Sequence, residues 1–246
     1  MGAAGLRIGN ASRYAAALLA APALLGGCGR ADAPQAENAA TPAPSATADA
    51  AVVRPQGPER LVLAFGDSLY AGYGVGRGLS LPDRVQKRLW AAGINATVVN
   101  AGVSGDITAA GRQRLGFALD NLPRKPDLVM LGLGGNDVLR QISPAETRAN
   151  LDAMLAELKK RQIPVMLTGM RAPPNLGPDF VARFDPIWPD LAKRYDAGLY
   201  PFILDGVIGT PALMQADHVH PTAEGIAKIA DRMAPMVAGQ LQDAKR

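Results

Sequence analysis

The sequence predicts an α/β domain, a three-layer α/β/α sandwich built on a mainly parallel five-stranded sheet. Three features predict it. Short apolar runs alternate with longer amphipathic stretches from Leu61 onward. The runs are apolar at successive positions, as in strands covered on both faces. The connecting stretches carry helix-start signals. In chain order the strands are expected at Leu61-Val-Leu-Ala-Phe65, Thr97-Val-Val-Asn100, Leu128-Val-Met-Leu-Gly-Leu133, Pro164-Val-Met-Leu-Thr168 and Tyr200-Pro-Phe-Ile-Leu204. Helices are expected near residues 82–92, 108–121, 180–195 and 222–241, with a fifth after Ser143. There Ser143-Pro-Ala-Glu146 places a capping serine, a proline at the first helical position and a glutamate at the third, a capping-box arrangement. Leu151, Met154, Leu155 and Leu158 then follow i, i+3, i+4, i+7 spacing and share one buried face.

The chain has 246 residues, 48% of them hydrophobic and 20% charged, which suits one domain with terminal additions. Residues 1–27 read as a targeting segment. Arg7 and Arg13 precede the apolar run Tyr14–Leu25, too short to span a bilayer. Leu25-Gly-Gly-Cys28 resembles the lipobox of bacterial lipoproteins, in which the cysteine becomes the lipidated N-terminus. Cys28 is the only cysteine, so it has no disulfide partner within the chain. Residues 28–60 are rich in Ala and Pro and read as a flexible tether. Residues 61–246 form the expected domain. Gly29, in place of an aspartate after the cysteine, resembles the sorting pattern of lipoproteins sent to the outer membrane, and the resemblance implies an exported, periplasmic, lipid-anchored protein. Cleavage at Cys28 would leave 24 basic against 22 acidic residues, a net charge of +2, and no basic cluster marks a nucleic-acid surface.

The chemistry-bearing residues fall after the strands, where open α/β sheets place their sites. The first strand leads into Phe65-Gly66-Asp67-Ser68-Leu69. A serine nucleophile needs an imidazole to accept its proton, and the chain has two histidines, both in Asp217-His218-Val219-His220-Pro221. Asp217, three residues before His220, can reach Nδ1 around a turn and leave Nε2 for Ser68. Acyl transfer also needs donors for a developing oxyanion. The Ser68 and Gly105 backbone N–H groups and the Asn136 side-chain amide are the candidates, Gly105 after the second strand and Asn136 after the third. Asp67 is expected to order its loop, and His218 to face solvent or pack nearby. The glycine-rich segment 72–80 and the proline-bearing segment 170–180 are expected to rim the site, as an acyl-chain groove or as ordinary surface loops.

Gly66-Asp-Ser-Leu69, the Gly105 segment, Gly135-Asn136-Asp137 and Asp217-x-x-His220-Pro221 resemble, in order, the four signature blocks of the GDSL (SGNH) hydrolases. The resemblance covers roughly residues 61–240 and is strongest to the bacterial periplasmic thioesterase/lysophospholipase/arylesterase group. It implies a flavodoxin-like fold, the triad Ser68, Asp217 and His220, and an oxyanion hole of Ser68, Gly105 and Asn136. The implied activity is hydrolysis of carboxylic esters or thioesters of small or lipid-like substrates through an acyl-enzyme, with no cofactor. Ile107 and His218 depart from that group, which usually has Thr at the first position and often Gly at the second. A carbohydrate O-deacetylase on the same triad, and a binding module that has lost activity, are the competing readings.

Other readings lack their signals. The second glycine of a G-x-S-x-G elbow is missing, since Leu69 and Tyr70 follow Ser68. Neither Gly72-Tyr-Gly-Val-Gly-Arg77 nor Gly132-Leu-Gly-Gly-Asn-Asp137 completes G-x-G-x-x-G or a P-loop. Asp217, His218 and His220 supply too few ligands for an expected metal site.

Overall fold

The computed structural model describes residues 52–243. The targeting segment, Cys28 and most of the tether lie outside the described residues. Five parallel strands, β1 (Arg60–Gly66), β2 (Ala96–Gly102), β3 (Leu128–Gly132), β4 (Val165–Thr168) and β5 (Gly198–Tyr200), form one sheet in the order β2-β1-β3-β4-β5. The helices are α1 (Ser68–Ala71), α2 (Leu81–Ala91), α3 (Thr108–Asp120), α4 (Gly135–Leu139), α5 (Pro144–Lys160), α6 (Pro178–Phe184), α7 (Ile187–Tyr195) and α8 (Ala223–Asp243).

Alternation along the central strands divides the core into two layers. Val62, Ala64, Leu128 and Met130 face α2 and α8, whereas Leu63, Phe65, Val129 and Leu131 face α3, α5 and α7. The buried face expected on α5 is present, with Leu151, Met154, Leu155 and Leu158 all at 1% exposure or less. From β1 the chain moves outwards to β2 and then crosses back over β1 to β3, so the direction of winding reverses at β1. The crevice beyond the carboxyl ends of β1 and β3 is therefore the topological switch point.

Four expectations change. The helix expected over 180–195 is two helices, because Pro186 has no N–H to continue the ladder of α6 and instead caps α7. The last strand lies at Gly198–Tyr200 rather than 200–204. Pro201 cannot donate to the sheet, and Ile203 N–H turns back to the Gly169 carbonyl. The strands are not all buried on both faces: β2 is an edge strand, mostly half-buried, with Asn100 exposed. The Ser143 hydroxyl does accept from Glu146 N–H, but the reciprocal capping box forms at Ser80 and Asp83, at the start of α2.

Residues just before Leu61 also contact the domain. Arg54 donates to Asn95 and Glu59, and the Asn95 amide donates to the Gly57 carbonyl, which fixes the end of the tether-like segment on the domain. This attachment lies at the amino ends of β1 and β2.

Candidate active site

Ser68 is the first residue of α1, a single turn laid across the carboxyl ends of the strands. Asp67 caps it, its Oδ1 accepting from Leu69 N–H at 3.0 Å. The turn can lie this close because Gly66 and Gly132 end their strands without side chains. A Cβ on either would come within 2.6 Å of the Tyr70 ring, whose hydroxyl pairs with Thr168 Oγ1 at 2.6 Å. Asp67 is nearly fully buried, and that burial, reinforced by the nearby Asp137 and Asp106, raises its carboxyl to about 6 against the pull of the Leu69 hydrogen bond and the His220 charge. Its expected role in ordering the loop corresponds to this cap.

His220 reaches Ser68 from a loop 152 residues away in sequence, its Nε2 lying 2.8 Å from Ser68 Oγ. Met214 and Pro221 form an isolated bridge that closes this loop, and Gln215 N–H donates to the His220 carbonyl. Within it, Asp217 Oδ1 accepts from the backbone N–H of Val219 and His220, both at 3.0 Å, and Asp217 Oδ2 lies 2.7 Å from His220 Nδ1. The backbone N–H of His220, then its ring, then the Val219 N–H lower the Asp217 carboxyl to about 2. An ionised carboxylate only accepts, so Nδ1 carries the proton and Nε2 is free to accept from the Ser68 hydroxyl. The Asp217 value lies below the ordinary 3.8. Its contribution to stability is therefore complete above about pH 4 and lost as pH falls towards 2.

His218, between the two, takes φ +57° and lines the cavity while remaining exposed. The left-handed conformation costs a non-glycine residue about 1–2 kcal/mol, a cost that a glycine at this position would not carry. The Tyr73 ring, half-exposed, covers the His220 imidazole at a centroid distance of 4.3 Å. Nothing in the sequence marked Tyr73 for that contact, because its loop and the His220 loop meet only in the folded chain.

Gly105, at φ +86°, and Asn136, in the first turn of α4, line the same cavity as Ser68 and His220. Asn136 Nδ2 donates to the Asp106 carbonyl at 3.0 Å, which leaves a second N–H on the amide. Arg140 holds the Gly105 carbonyl at 3.0 Å. Arg114 grips Asp106 at 2.6 Å and also donates to the carbonyls of Gly66 and Ala101, tying the loops after β1 and β2 together. The predicted Ser68, Gly105, Asn136 and His220 thus line one cavity of about 610 Å³, a size suited to a small organic ligand, and Asp217 braces His220 from outside it. Its walls are mainly apolar, from Leu139, Met170, Pro173, Phe202 and Ile208. Both expected rim segments contribute, through Tyr73 and through residues 170–174. Phe202 and Ile208 were not foreseen, since the former was assigned to the last strand. Among the described residues no three of His, Cys, Asp and Glu are grouped to hold a metal ion.

A GDSL-like lipase/acylhydrolase family model matches residues 64–228. The arylesterase of Vibrio mimicus is 38% identical over 179 residues, 73% of this chain and 88% of the relative. The thioesterase 1/protease 1/lysophospholipase L1 of Escherichia coli K12 is 36% identical over 173 residues, 70% of this chain and 81% of the relative. Among solved structures, the SGNH-hydrolase family esterase AlinE4 is 53% identical with a TM-score of 0.65, covering 75% of this chain and 97% of that one. With its sheet order, its crevice and the family match over most of its length in agreement, the chain belongs to the GDSL-like lipase/acylhydrolase family.

Proposed function

We propose that the protein is a serine esterase that hydrolyses carboxylic esters or thioesters with apolar acyl groups, Ser68 acting as nucleophile, His220 as general base and acid, and Asp217 as the orienting carboxylate. The continuous Ser68–His220–Asp217 chain, with links of 2.8 and 2.7 Å and with Ser68 and His220 lining an apolar cavity, carries the reading. Relatives named arylesterase and thioesterase/lysophospholipase support the ester and thioester range.

In the first step Nε2 takes the Ser68 proton while Oγ bonds to the substrate carbonyl carbon. The carbonyl oxygen becomes an oxyanion facing the N–H groups of Ser68, Gly105 and the Asn136 amide. Collapse expels the alkoxide or thiolate, which takes the proton from His220, and leaves an acyl-enzyme. Water then gives a proton to Nε2 and attacks the acyl carbon; collapse of the tetrahedral adduct breaks the bond to Oγ, which takes the proton back from His220, and releases the carboxylic acid.

Rates on nitrophenyl esters of increasing acyl length test the substrate class against acetylated sugars. An apolar wall predicts that kcat/KM rises from acetate by up to about fourfold per added methylene while the chain is being buried. A maximum at acetate, with faster deacetylation of sugars, contradicts it and favours the O-deacetylase reading.

The location belongs to the same proposal. The basic residues Arg7 and Arg13, the apolar run to Leu25 and the Gly-Gly-Cys28 motif support export to the periplasm and lipid attachment at Cys28. Gly29 supports the outer membrane. Cys28→Ser is expected to move the protein from the membrane to the soluble fraction with unchanged specific activity; retention in the membrane would reject the anchor.

A further inference from the structure

Asp137 follows Asn136 directly, yet it does not reach the cavity. Its side chain is completely buried, without a cationic partner among its hydrogen bonds. A carboxylate in that position is costly unless each oxygen is satisfied. Here Oδ2 accepts from the Thr108 backbone N–H at 2.8 Å, and Oδ1 accepts from the hydroxyls of Thr108 and, at 3.2 Å, Thr147. Asn150 closes the network by donating to Thr108 Oγ1 at 3.3 Å.

These bonds explain how α3 begins. Its N-cap residue is Ile107, whose side chain makes no capping hydrogen bond. Asp137 supplies from α4 an acceptor for the first unpaired N–H of the helix, that of Thr108, and places its negative charge at the amino end of a thirteen-residue helix. The bond therefore joins two segments of the site. Thr108 lies three residues after Gly105, and Asp137 lies one after Asn136. The Asn136–Asp106 hydrogen bond is a second tie between the same segments, on the cavity side.

We infer that Asp137 is a positioning residue, which sets the spacing of the two oxyanion donors Gly105 N–H and Asn136 Nδ2 by capping α3 from α4. This rests on the oxyanion role proposed above. A carboxylate provides two acceptor oxygens where an asparagine provides one, so Asp137→Asn either faces the Thr108 backbone N–H with an N–H or makes the Thr108 and Thr147 hydroxyls reverse and accept. A misplaced donor weakens stabilisation that arises only in the transition state, and so acts on kcat more than on KM.

The test is a double-mutant cycle with a nitrophenyl ester, with folding checked by circular dichroism and thermal melting. Asn136→Ala alone is expected to lower kcat by about 10²–10³. Asp137→Asn alone is expected to lower kcat by roughly 10–50-fold with KM within about twofold, and to lower it by less than about threefold when Asn136 is already alanine. Thr108→Val, which removes only the hydroxyl donor, is expected to show a weaker form of the same pattern, and Thr108→Ser to restore it. Should Asp137→Asn not fold, the Thr108 pair decides. An equal loss in both backgrounds, or wild-type kcat in a folded Asp137→Asn or Thr108→Val variant, overturns the positioning role while leaving the oxyanion reading intact. Wild-type kcat in Asn136→Ala overturns both.

Discussion

Replacing His220 by alanine is expected to lower kcat by on the order of 10⁴–10⁶, with KM changed little. The size follows from the absence of a substitute. His218 also lines the cavity, but the Ser68 hydroxyl meets His220 Nε2 at 2.8 Å, and only His220 is braced by Asp217 at Nδ1. Without that base the hydroxyl keeps its proton at neutral pH and is a poor nucleophile. The pH profile adds an independent check. Asp217 is held at about 2 by the His220 backbone, the His220 ring and the Val219 backbone, so it remains ionised across the working range. Asp67, raised to about 6 chiefly by burial, does titrate there, but it caps α1 and takes no proton from Ser68. Loss of kcat/KM on the acid side is therefore expected to persist in Asp67→Asn. Disappearance of the acid limb in that variant would move the titrating role to Asp67.

Ser68→Ala is expected to cost as much, on the order of 10⁴–10⁶ in kcat, while the protein still binds ester substrates. Alanine removes Oγ and nothing else from a cavity whose walls lie elsewhere. The two losses are not expected to add. In the proposed mechanism serine and histidine act on one proton, so the double variant should be no slower than either single one. Activity that survives should come from the oxyanion donors and from binding alone, and kcat for each variant against the double variant checks this.

The site was legible in the sequence because its chemistry depends on residue types at fixed points after strands. Two histidines and one aspartate three residues ahead left few arrangements, and the loop of residues 214–221 realises one of them. The long amphipathic helices were legible for the same reason, as the burial of Leu151, Met154, Leu155 and Leu158 illustrates. What escaped were features set by tertiary contact. Helices α1 and α4 have four and five residues, too few to show a helical period, yet they hold Ser68 and Asn136. The break at Pro186 was masked by apolar spacing that continues across it. The covering of His220 by Tyr73 and the capping of α3 by Asp137 join residues distant in sequence. Asp137 in particular reads as an ordinary helix-start acid until its complete burial is seen. Conversely, the sequence marked Ile107 and His218 as departures from the family pattern, and both have structural consequences: a helix start without a capping side chain of its own and a left-handed turn.

Covalent labelling tests the central claim most directly. A fluorophosphonate presents a tetrahedral phosphorus electrophile to an activated serine, and intact-mass measurement with peptide mapping locates the adduct. One adduct per chain, on Ser68, formed rapidly by the wild-type protein and absent from Ser68→Ala and His220→Ala, is the predicted result. Correctly folded wild-type protein that stays unlabelled, or that carries the adduct on another residue, would contradict the assignment of Ser68 as nucleophile.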